Sequence, residues 1–401
     1  MTYEWNHSTI NDVCVLVTDG SHSSPKSVND GKYMVSVKDF TDYGFDFASC
    51  RMISNDDYET LKRNGCVPQI DDILIGKDGA RFFEDIIIYR QREKPALLSS
   101  IAILRCDKSK ILPDFLYYVL RTPSFRQDVK DKYGSGSAIP RIILKDFKRM
   151  MVSYPSLEKQ QAIISVLTAI DSKIQANTEI NDNLELQAQA CFQELFVDNA
   201  DPEWAIGTIS DLGAVVGGST PSKAKPEYYT ETGIAWITPK DLSVNKSKFI
   251  SHGENDITEL GLKNSSATIM PEGTVLFSSR APIGYIAVAA GEVTTNQGFK
   301  SIVPKPEIGT AFVYYFLKHN LPIIEGMASG STFKEVSGST MKGVPAVIPD
   351  TDTITRFNDF CSPIFAQQRI LEEQNQSLAA LRDNLLPKLM SGEIDFSAVQ
   401  L

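Results

Sequence analysis

A long stretch in the middle of the chain carries a narrow apolar stripe with a 3.5-residue period. From Leu157 to Phe196, seam positions recur at alternating spacings of four and three, with mostly polar residues between them. They are Ile163, Leu167, Ile170, Ile174, Asn177, Asn181, Leu184, Ala188, Cys191 and Leu195. Such a seam keeps facing one partner helix only if the two supercoil. With no Gly or Pro, the stretch predicts a helix of about 60 Å that needs a partner.

A second segment with the same pattern closes the chain. Pro349-Asp350 opens it as Pro155-Ser156 opens the first, and Ser391-Gly392 ends it; Ser and Asp are good N-caps, and Gly is common just past a helix end. Pro387 is expected to kink or shorten its last turn. Its seam positions are Phe357, Cys361, Ile364, Leu371, Asn375, Leu378, Leu385 and Leu389.

Both segments belong to an internal repeat. At an offset of 199, Glu4, Trp5, Thr9, Ile10 and Asp12 match Glu203, Trp204, Thr208, Ile209 and Asp211. Later matches keep the same order: Lys38-Asp39 with Lys240-Asp241, Ile73-Leu74 with Val275-Leu276, Phe115–Leu120 with Phe312–Leu317, and Ser135-Gly136-Ser137 with Ser329-Gly330-Ser331. Ordered matches with a slowly drifting offset indicate two copies of one unit.

Each copy predicts a mixed globule followed by its long helix. Short β-branched or apolar runs predict strands at Val13–Val17, Asp72–Ile75, Glu84–Tyr89 and Ile101–Leu104, and at Ile234–Ile237, Thr274–Phe277, Ala287–Ala290 and Ser301–Val303. Helices are predicted over Pro113–Arg121 and Ala311–His319. The predicted domains are residues 1–154 (globule), 155–199 (helix and linker), 200–348 (globule) and 349–401 (helix).

The predicted fold is α+β, with two similar globules joined by two long antiparallel helices that form an intramolecular coiled coil about a pseudo-two-fold axis. Asn181 and Asn375 occupy equivalent seam positions, where a buried Asn would fix the register; the alternative is that both lie solvated at the seam edge. The predicted helix-pair interface is Ile163, Leu167, Ile170, Ile174, Asn181, Leu184, Phe357, Ile364, Leu371, Asn375, Leu378 and Leu385.

Composition limits the compartment and the chemistry. Met1 to Ile10 lacks the pattern of a signal peptide, and no apolar run is long enough to cross a membrane. The six cysteines lack CxxC spacing and the four histidines lack ligand spacing. We therefore expect a cytoplasmic protein with free thiols and no bound metal.

Charge and motifs favour binding over catalysis. The formal net charge is −10, yet residues 101–150 hold 11 Lys+Arg against 5 Asp+Glu, which allows a local basic face; ordinary solvated charge is the alternative. The sequence lacks GxxxxGK[ST], GxGxxG after a strand, GxSxG and an Asp/Asn-Pro-Pro-aromatic tetrapeptide. A nuclease reading of Pro113-Asp114 with Asp171-Ser172-Lys173 fails because Asp171 lies on the predicted long helix. We expect no catalytic site in this chain.

Polar loops recur at matching places in the two copies. Glycine allows backbone N–H groups to approach phosphate, Ser and Thr donate hydroxyls, Lys and Arg add charge, and Arg, Asn and Gln can read base edges. Ordinary turns are the alternative for each loop, as is a structural amide pair for Asn296-Gln297. The candidate DNA contacts are Ser21, His22, Lys38, Lys77, Arg81, Ser135, Ser137, Arg141, Lys145, Ser219, Thr220, Lys240, Ser278, Ser279, Arg280, Asn296, Gln297, Ser329, Ser331 and Lys334.

Two further motifs resemble type I restriction–modification DNA specificity subunits. One is Pro155-x-x-Glu158-x-Gln160-x-x-Ile163, followed by Ile170-Asp171-x-Lys173-Ile174; the other is the ending Leu385-Leu386-Pro387-Lys388-Leu389-Met390-Ser391-Gly392-Glu393-Ile394. The second copy departs from the first motif, with Asp352-Thr353-Ile354 at its opening. If that opening touches a partner subunit, the two partner contacts differ.

The resemblance implies that each globule is a target recognition domain for one half of a bipartite, asymmetric duplex DNA site. The helices would set the gap between half-sites and help to dock two methyltransferase subunits, and a restriction/motor subunit would complete the enzyme. S-adenosylmethionine, ATP and Mg²⁺ would then be bound by those partners. A coiled-coil scaffold whose globules bind protein is the alternative, and the net acidity favours it.

Overall fold

The computed structural model describes residues 5–79, 81–133, 140–330 and 334–394. The chain divides into two compact units, which we describe separately. Unit 1 comprises Met1–Ser172 with Leu378–Leu401, and unit 2 comprises Lys173–Ser377. Each unit therefore contains one globule and a part of each long helix.

Unit 1 begins with alternating short strands and helices. The elements are β1 (Asn6–Thr9), α1 (Ile10–Val13), β2 (Cys14–Asp19), β3 (Lys32–Val35), β4 (Phe40–Thr41), β5 (Gly44–Phe45), β6 (Arg51–Ile53), α2 (Asn55–Arg63), β7 (Ile73–Gly76), β8 (Ile86–Ile88), β9 (Ala96–Leu97), β10 (Ile101–Cys106), α3 (Pro113–Arg121), α4 (Pro123–Tyr133), α5 (Leu144–Arg149) and β11 (Met151–Tyr154). The long helix α6 (Leu157–Gln193) follows and continues into unit 2, where a short π-helix spans Glu194–Asp198.

Unit 2 repeats this plan. Its elements are β12 (Ala205–Thr208), α7 (Ile209–Leu212), β13 (Gly213–Gly217), β14 (Tyr229–Thr230), β15 (Ile234–Ile237), α8 (Pro239–Val244), β16 (Phe249–Ile250), β17 (Asn255–Ile257), α9 (Glu259–Lys263), β18 (Val275–Ser279), β19 (Ile283–Ala289), β20 (Thr294–Thr295), β21 (Lys300–Pro304), α10 (Thr310–His319), α11 (Leu321–Gly326), α12 (Gly338–Lys342) and β22 (Pro345–Ile348). The second long helix, α13 (Thr351–Met390), continues into unit 1.

The central strands of both globules are buried on two faces. In unit 1 the antiparallel order is β2-β10-β7-β8, and in unit 2 the main sheet runs β13-β21-β18-β19-β16. Because side chains alternate along a strand, Ile73 and Ile75 join the core cluster that contains α3, whereas Leu74 joins another on the opposite face. Val275 and Leu276 are divided in the same way in unit 2. This two-sided burial explains the continuous apolar runs in the sequence.

The predicted elements are confirmed with shifts at their ends. The helix over Pro113–Arg121 and the strand over Ile234–Ile237 have the predicted bounds. Two antiparallel strand pairs were not predicted: β1 with β11, and β12 with β22. Both missed pairs join segments almost 150 residues apart, and such pairing leaves little local signal.

The recurring sequence matches are explained largely by helix caps. Thr9 and Asp12 form a capping box at the start of α1, and Thr208 and Asp211 form the equivalent box at α7. Asp39, next to Lys38, and Asp241, next to Lys240, cap short helices with Ser36 and Thr238 respectively. The repeat has therefore preserved turn geometry, independently of any role for the neighbouring lysines.

The apolar ends of the long helices pack into the cores of the globules. In unit 1, Ile163 and Leu167 of α6 share a core cluster with Leu386 and Leu389 of α13. In unit 2, Phe192 of α6 lies in the cluster that contains Phe357, Cys361 and Ile364 of α13. Of the other predicted interface residues, Ile170 and Leu371 are buried, and Ile174, Leu184, Leu378 and Leu385 are half-buried.

Within unit 2 the two helices run antiparallel, and their contact becomes polar around Asn177 and Asn181. The amide nitrogen of Asn177 donates to Asn375 Oδ1 at 2.9 Å, and that of Asn181 donates to Glu372 Oε1 at 3.2 Å. Asn177 is completely buried, whereas Asn181 and Asn375 are half-buried. The prediction considered Asn181 and Asn375 as either buried or solvated at the seam edge, and both are half-buried; the fully buried asparagine is Asn177, which bonds to Asn375 one helical turn from Asn181. Pro387 does not end α13, which continues to Met390.

Gln160 has a structural role in unit 1. Its side chain is fully buried; it accepts from Leu112 N–H at 2.8 Å and donates to the carbonyls of Lys110 and Pro155, both at 3.0 Å. At the equivalent position of the second copy, Ile354 is buried in an apolar cluster. The difference between the two motif openings is therefore a difference in how each helix start is anchored to its own globule.

We predict that Gln160→Leu lowers the free energy of unfolding by about 2–3 kcal/mol, because three backbone groups lose the hydrogen-bond partner that the buried Gln160 side chain supplies. The matched control is Gln161→Leu, at an exposed neighbouring position, which should change stability by less than about 0.5 kcal/mol. Urea unfolding followed by circular dichroism measures both. Equal losses in the two variants would contradict the anchoring role.

A buried ionic cluster ties the globule of unit 2 to both long helices. Lys248 Nζ pairs with Glu185 of α6, donates to Gln368 Oε1 of α13 at 2.6 Å, and lies 4.3 Å from the centre of the Phe365 ring. Lys318 Nζ binds the second Glu185 oxygen at 2.6 Å. Burial opposes the charge on Glu185, but the two lysines outweigh it and lower the pKa of that carboxyl to about 2.

Glu185→Gln should therefore destabilise the protein by about 3 kcal/mol at neutral pH, since it leaves Lys248 buried without a counter-charge. The folded-state pKa lies below the usual 4.5, so this contribution is present above pH 4.5 and is lost as the pH falls toward 2. Over that window the stability of the variant should vary less than that of the wild type. Glu179→Gln, at an exposed position on α6, is the control; a parallel pH profile for Glu185→Gln and wild type would argue against the charge pairing.

Candidate nucleic-acid interface

A cleft of 720 Å³ in unit 2 collects predicted contacts from separate parts of the sequence. The predicted residues that line it are Thr220, Lys240, Arg280, Asn296 and Gln297. They come from the loop after β13, the first turn of α8, the end of β18 and the end of β20. Folding therefore brings together groups that are up to 77 residues apart, as in the hydrogen bond from the Thr220 hydroxyl to Gln297 Oε1.

Local structure holds each of these segments in place. Asp241 Oδ2 accepts from Thr238 N–H at 2.7 Å, and its other oxygen accepts from Glu254 N–H at 2.8 Å, which fixes the turn that presents Lys240. The backbone N–H of Asn296 donates to Ile237 O at 3.0 Å, where β15 and β20 run parallel. These bonds position the rim of the cleft before any ligand binds.

Two aromatic residues that the sequence analysis missed support one wall. Trp236 Nε1–H donates to Ser219 O at 3.0 Å, and the Tyr229 hydroxyl donates to Pro221 O at 2.6 Å. Their rings meet edge to face, with centroids 5.6 Å apart. Both bonds go to the 219–221 loop, so the aromatic pair sets the position of Thr220. Trp236 could be read only as a strand residue, since its role depends on a loop 17 residues away.

The basic groups of the cleft have acidic neighbours. Lys240 Nζ lies 2.6 Å from Glu254 Oε2, and this hydrogen bond raises the pKa of the lysine. Arg280 lies 3.4 Å from Glu335, which Lys300 also approaches at 3.6 Å. Lys223 lines the cleft as well, and no carboxylate of the described chain lies within ion-pair distance of it. A polyanion must therefore compete with Glu254 and Glu335 for two of the cations.

The side-chain amides of Asn296 and Gln297 have their NH₂ groups available to a ligand, whereas their oxygens already accept hydrogen bonds. Asn296 Oδ1 accepts from Gly298 N–H at 2.8 Å, and Gln297 Oε1 accepts the Thr220 hydroxyl. Over the described residues, neither side-chain NH₂ group has a hydrogen-bond acceptor. Each oxygen keeps one lone pair, so a bidentate contact with an adenine edge stays chemically open to both residues.

The structure removes several predicted hydroxyls from the interface. Ser278 Oγ accepts from Tyr285 N–H at 2.7 Å and donates to Pro282 O, and the Ser279 hydroxyl donates to Gly298 O at 3.0 Å. Both serines are fully buried, and Ser219, half-buried, uses its backbone to bond Thr295 O at 2.8 Å. The hydroxyls of Ser278 and Ser279 therefore hold turns of the chain, whereas the Ser219 hydroxyl stays a predicted contact. Ser329 and Lys334 are exposed, and Ser329 pairs through its backbone with Glu335.

In unit 1 the matching loops are also close to one another. The backbone of Lys77 donates to Ser100 O at 2.9 Å and accepts from Ile142 N–H at 3.0 Å, and Asp78 forms a bridge with Arg141. The Lys77 side chain is buried, 3.4 Å from Asp19, so the predicted role of Lys77 as a phosphate contact is corrected to a buried ion pair.

The remaining predictions of unit 1 fall into three groups. Ser21 is buried and bonds to Ser23, which makes its hydroxyl part of a turn. The exposed residues are His22, Lys38, Arg81, Arg141 and Lys145, of which His22 lies 3.3 Å from Asp19 and Arg81 lies 2.7 Å from Asp85. Ser135, Ser137 and, in the second copy, Ser331 lie outside the described residues.

Two absences concern the described ranges alone. In those parts of the chain, no group of three or more His, Cys, Asp or Glu side chains could hold a metal ion. None of the described helices combines the length and apolar character needed to cross a membrane.

Two similar α+β globules, each followed in sequence by a long helix, define a two-domain recognition protein in which at least one globule carries a polar cleft. The family model for the type I restriction modification DNA specificity domain matches residues 3–186 and 202–380, and the chain belongs to this family. Each matched segment contains one target recognition domain and most of the long helix that follows it.

Individual relatives carry related names. The chain is 39% identical over 191 residues to the type I restriction enzyme MjaIX specificity subunit of Methanocaldococcus jannaschii, a match that covers 45% of this chain and 44% of that protein. It is 24% identical over 371 residues to the HindI specificity subunit of Haemophilus influenzae, covering 73% and 80%. The crystal structure of an S subunit from M. genitalium has the same fold, with a TM-score of 0.58 at 16% identity over 97% of this chain and 96% of that one.

Gly218 is a further determinant of the cleft, and its neighbour offers a matched control. A Cβ at Gly218 would lie 2.0 Å from Asn296 O, whereas a Cβ at Gly217 would have no neighbour within 4 Å. We predict that Gly218→Ala costs about 2 kcal/mol or more and shifts the amide NMR signals of Asn296 and Gln297. Gly217→Ala should leave the stability and these amide signals unchanged. Similar spectra for the two variants would contradict the close contact between Gly218 and Asn296 O.

Proposed function

We propose that this chain supplies DNA sequence recognition to a type I restriction–modification complex, with each globule binding one half of a bipartite, asymmetric duplex target. The observation that carries the proposal is the unit 2 cleft, in which charge, hydroxyl and amide groups converge from four segments of the chain. This mixture serves phosphate contact and base reading together, whereas a purely basic groove would serve phosphate contact alone.

The cleft residues divide by chemistry. Lys240 and Lys223 suit phosphate, because a flexible ammonium group adds charge without base preference. Arg280 suits a guanine edge, and Asn296 or Gln297 suits an adenine edge. In unit 1, the exposed His22, Lys38, Arg81, Arg141 and Lys145 form the corresponding proposed set. Different residues in the two sets support recognition of two different half-sites.

The chain belongs to the family of type I specificity subunits, and the specificity subunit is non-catalytic. We further propose that two methyltransferase subunits dock on it, and that a restriction/motor subunit joins the complete enzyme. S-adenosylmethionine, ATP and Mg²⁺ would be bound by those subunits. The paired helices would set the gap between the half-sites, a role supported by the polar contacts at 177–375 and 181–372, which resist a change of register.

We expect Lys240→Gln to weaken binding to all duplex sequences about equally and to reduce the salt slope by about one unit. Arg280→Gln should instead relax one position of one half-site, at about 1–3 kcal/mol of discrimination. Lys263→Gln, an exposed change on α9 with the same loss of charge, is the control. The measurement is fluorescence anisotropy with the methyltransferase subunit present, on target and single-base variants.

Two outcomes would count against the proposal. Unchanged affinity in both cleft variants would place the DNA elsewhere on the chain. Absence of any sequence-dependent protection by the wild type in a footprint would favour the protein-binding scaffold, which the net charge of −10 makes the relevant alternative.

A further inference from the structure

A second cavity, in unit 1, is lined by three arginines. It has a volume of 230 Å³ and lies between α3, α4 and the C-terminal part of α13. The arginines are Arg121 at the end of α3, Arg126 in α4, and Arg382 in α13; Tyr118, Pro123, Asp383 and Leu386 complete the lining. None of the candidate DNA contacts lines this cavity, so it is separate from the interface proposed above.

Arg126 is incompletely paired. One terminal nitrogen donates to Glu84 O at 3.1 Å, while its Nε–H is buried and has no acceptor among the described residues. No carboxylate of the described chain lies within ion-pair distance of this guanidinium. Burial, and next the charge of Arg121, lower the pKa of Arg126. Arg126 therefore lines the cavity with a charge that has no acidic partner among the described residues.

Arg121 adds a second cation without a counter-charge. It donates to the Tyr117 hydroxyl and stacks 4.9 Å from the centre of the Tyr117 ring, and no described carboxylate forms an ion pair with it. Arg382 differs, because it pairs with Asp171 and Asp383, both at 2.9 Å. Counting these five groups, three positive charges face two negative ones, and the excess lies on the α3–α4 side.

We propose that this cavity binds a tetrahedral oxyanion, inorganic phosphate or a phosphate ester, held by Arg121 and Arg126 with Arg382 beside it. Guanidinium groups donate pairs of parallel hydrogen bonds to phosphate oxygens, and Arg121 and Arg126 both line this cavity. The apolar side chains of Pro123 and Leu386 leave room for the carbon atoms of an ester.

Binding should also link two parts of unit 1. Arg382 belongs to α13, whereas Arg121 and Arg126 belong to the globule. An anion held by both sides stabilises the folded state by mass action, because the unfolded chain has no such site. Phosphate should therefore raise the melting temperature with a saturable dependence on concentration.

The test uses the full-length chain and inorganic phosphate, with sodium chloride added to hold the ionic strength constant. Isothermal titration calorimetry and thermal melting should show saturable binding by the wild type. Arg126→Gln should weaken it at least tenfold, and Arg126→Lys, which keeps the charge but loses the fork, should fall between. Arg92→Gln, an exposed change in the same unit, should bind as the wild type does. If Arg126→Gln does not fold, Arg121→Gln takes its place.

Phosphate also stabilises proteins without a site, so an equal thermal shift in Arg126→Gln and wild type would overturn the proposal, as would the lack of a saturable titration. A duplex oligonucleotide that displaces phosphate would identify the bound group as a backbone phosphate of DNA. Phosphate binding that is insensitive to the duplex would identify a small phosphate. Either result supports the site, and neither depends on the DNA-reading role of the unit 2 cleft.

Discussion

Neither long helix can keep its apolar stripe out of water by itself, and the organisation of both units follows from this constraint. The stripe is about one side chain wide, so it is buried only where a second surface covers it. In unit 1, Ile163 and Leu167 share their core with Leu386 and Leu389; in unit 2, Phe192 shares its core with Phe357 and Ile364. At these ends the helices pack into a globule as well as against each other, so helix pairing and globule folding are coupled.

Polar and ionic contacts between the globules and α6 accompany this apolar packing. In unit 1 the Tyr118 hydroxyl donates to Asp171 at 2.7 Å, and Arg382 pairs with the other oxygen of that carboxylate. In unit 2 the Tyr315 hydroxyl donates to Glu185 at 2.8 Å, beside Lys248. The matching tyrosines of the repeat thus both reach a carboxylate of α6. Such buried groups tolerate few alternative arrangements, because any shift leaves a charge or a donor without its partner.

The repeat shows how structural and functional signals become mixed in a sequence. The matches at Thr9 and Asp12, and at Lys38-Asp39, recur because capping boxes need Thr or Ser followed by Asp. The buried Ser278 and Ser279 were grouped with DNA contacts for the same reason: a turn and a phosphate-binding loop both favour small residues with hydroxyls. By contrast, the segments that carry Arg280, Asn296 and Gln297 do meet at one cleft. Trp236 supports one wall of this cleft, although nothing in the sequence around it indicates that role.

Four features can be read from the amino-acid sequence: the two-copy organisation, the two long helices with their approximate ends, the α+β character of each globule, and the family. These features depend on local periodicity, on capping residues and on the ordered similarity between the two copies, all of which are properties of the sequence. Three other features become visible in the folded chain alone: Asn177 is the buried asparagine, Lys77 is paired inside the protein, and Arg121, Arg126 and Arg382 share one cavity. Burial and charge pairing depend on which distant segments meet, and the spacing of residues along the chain does not contain that information.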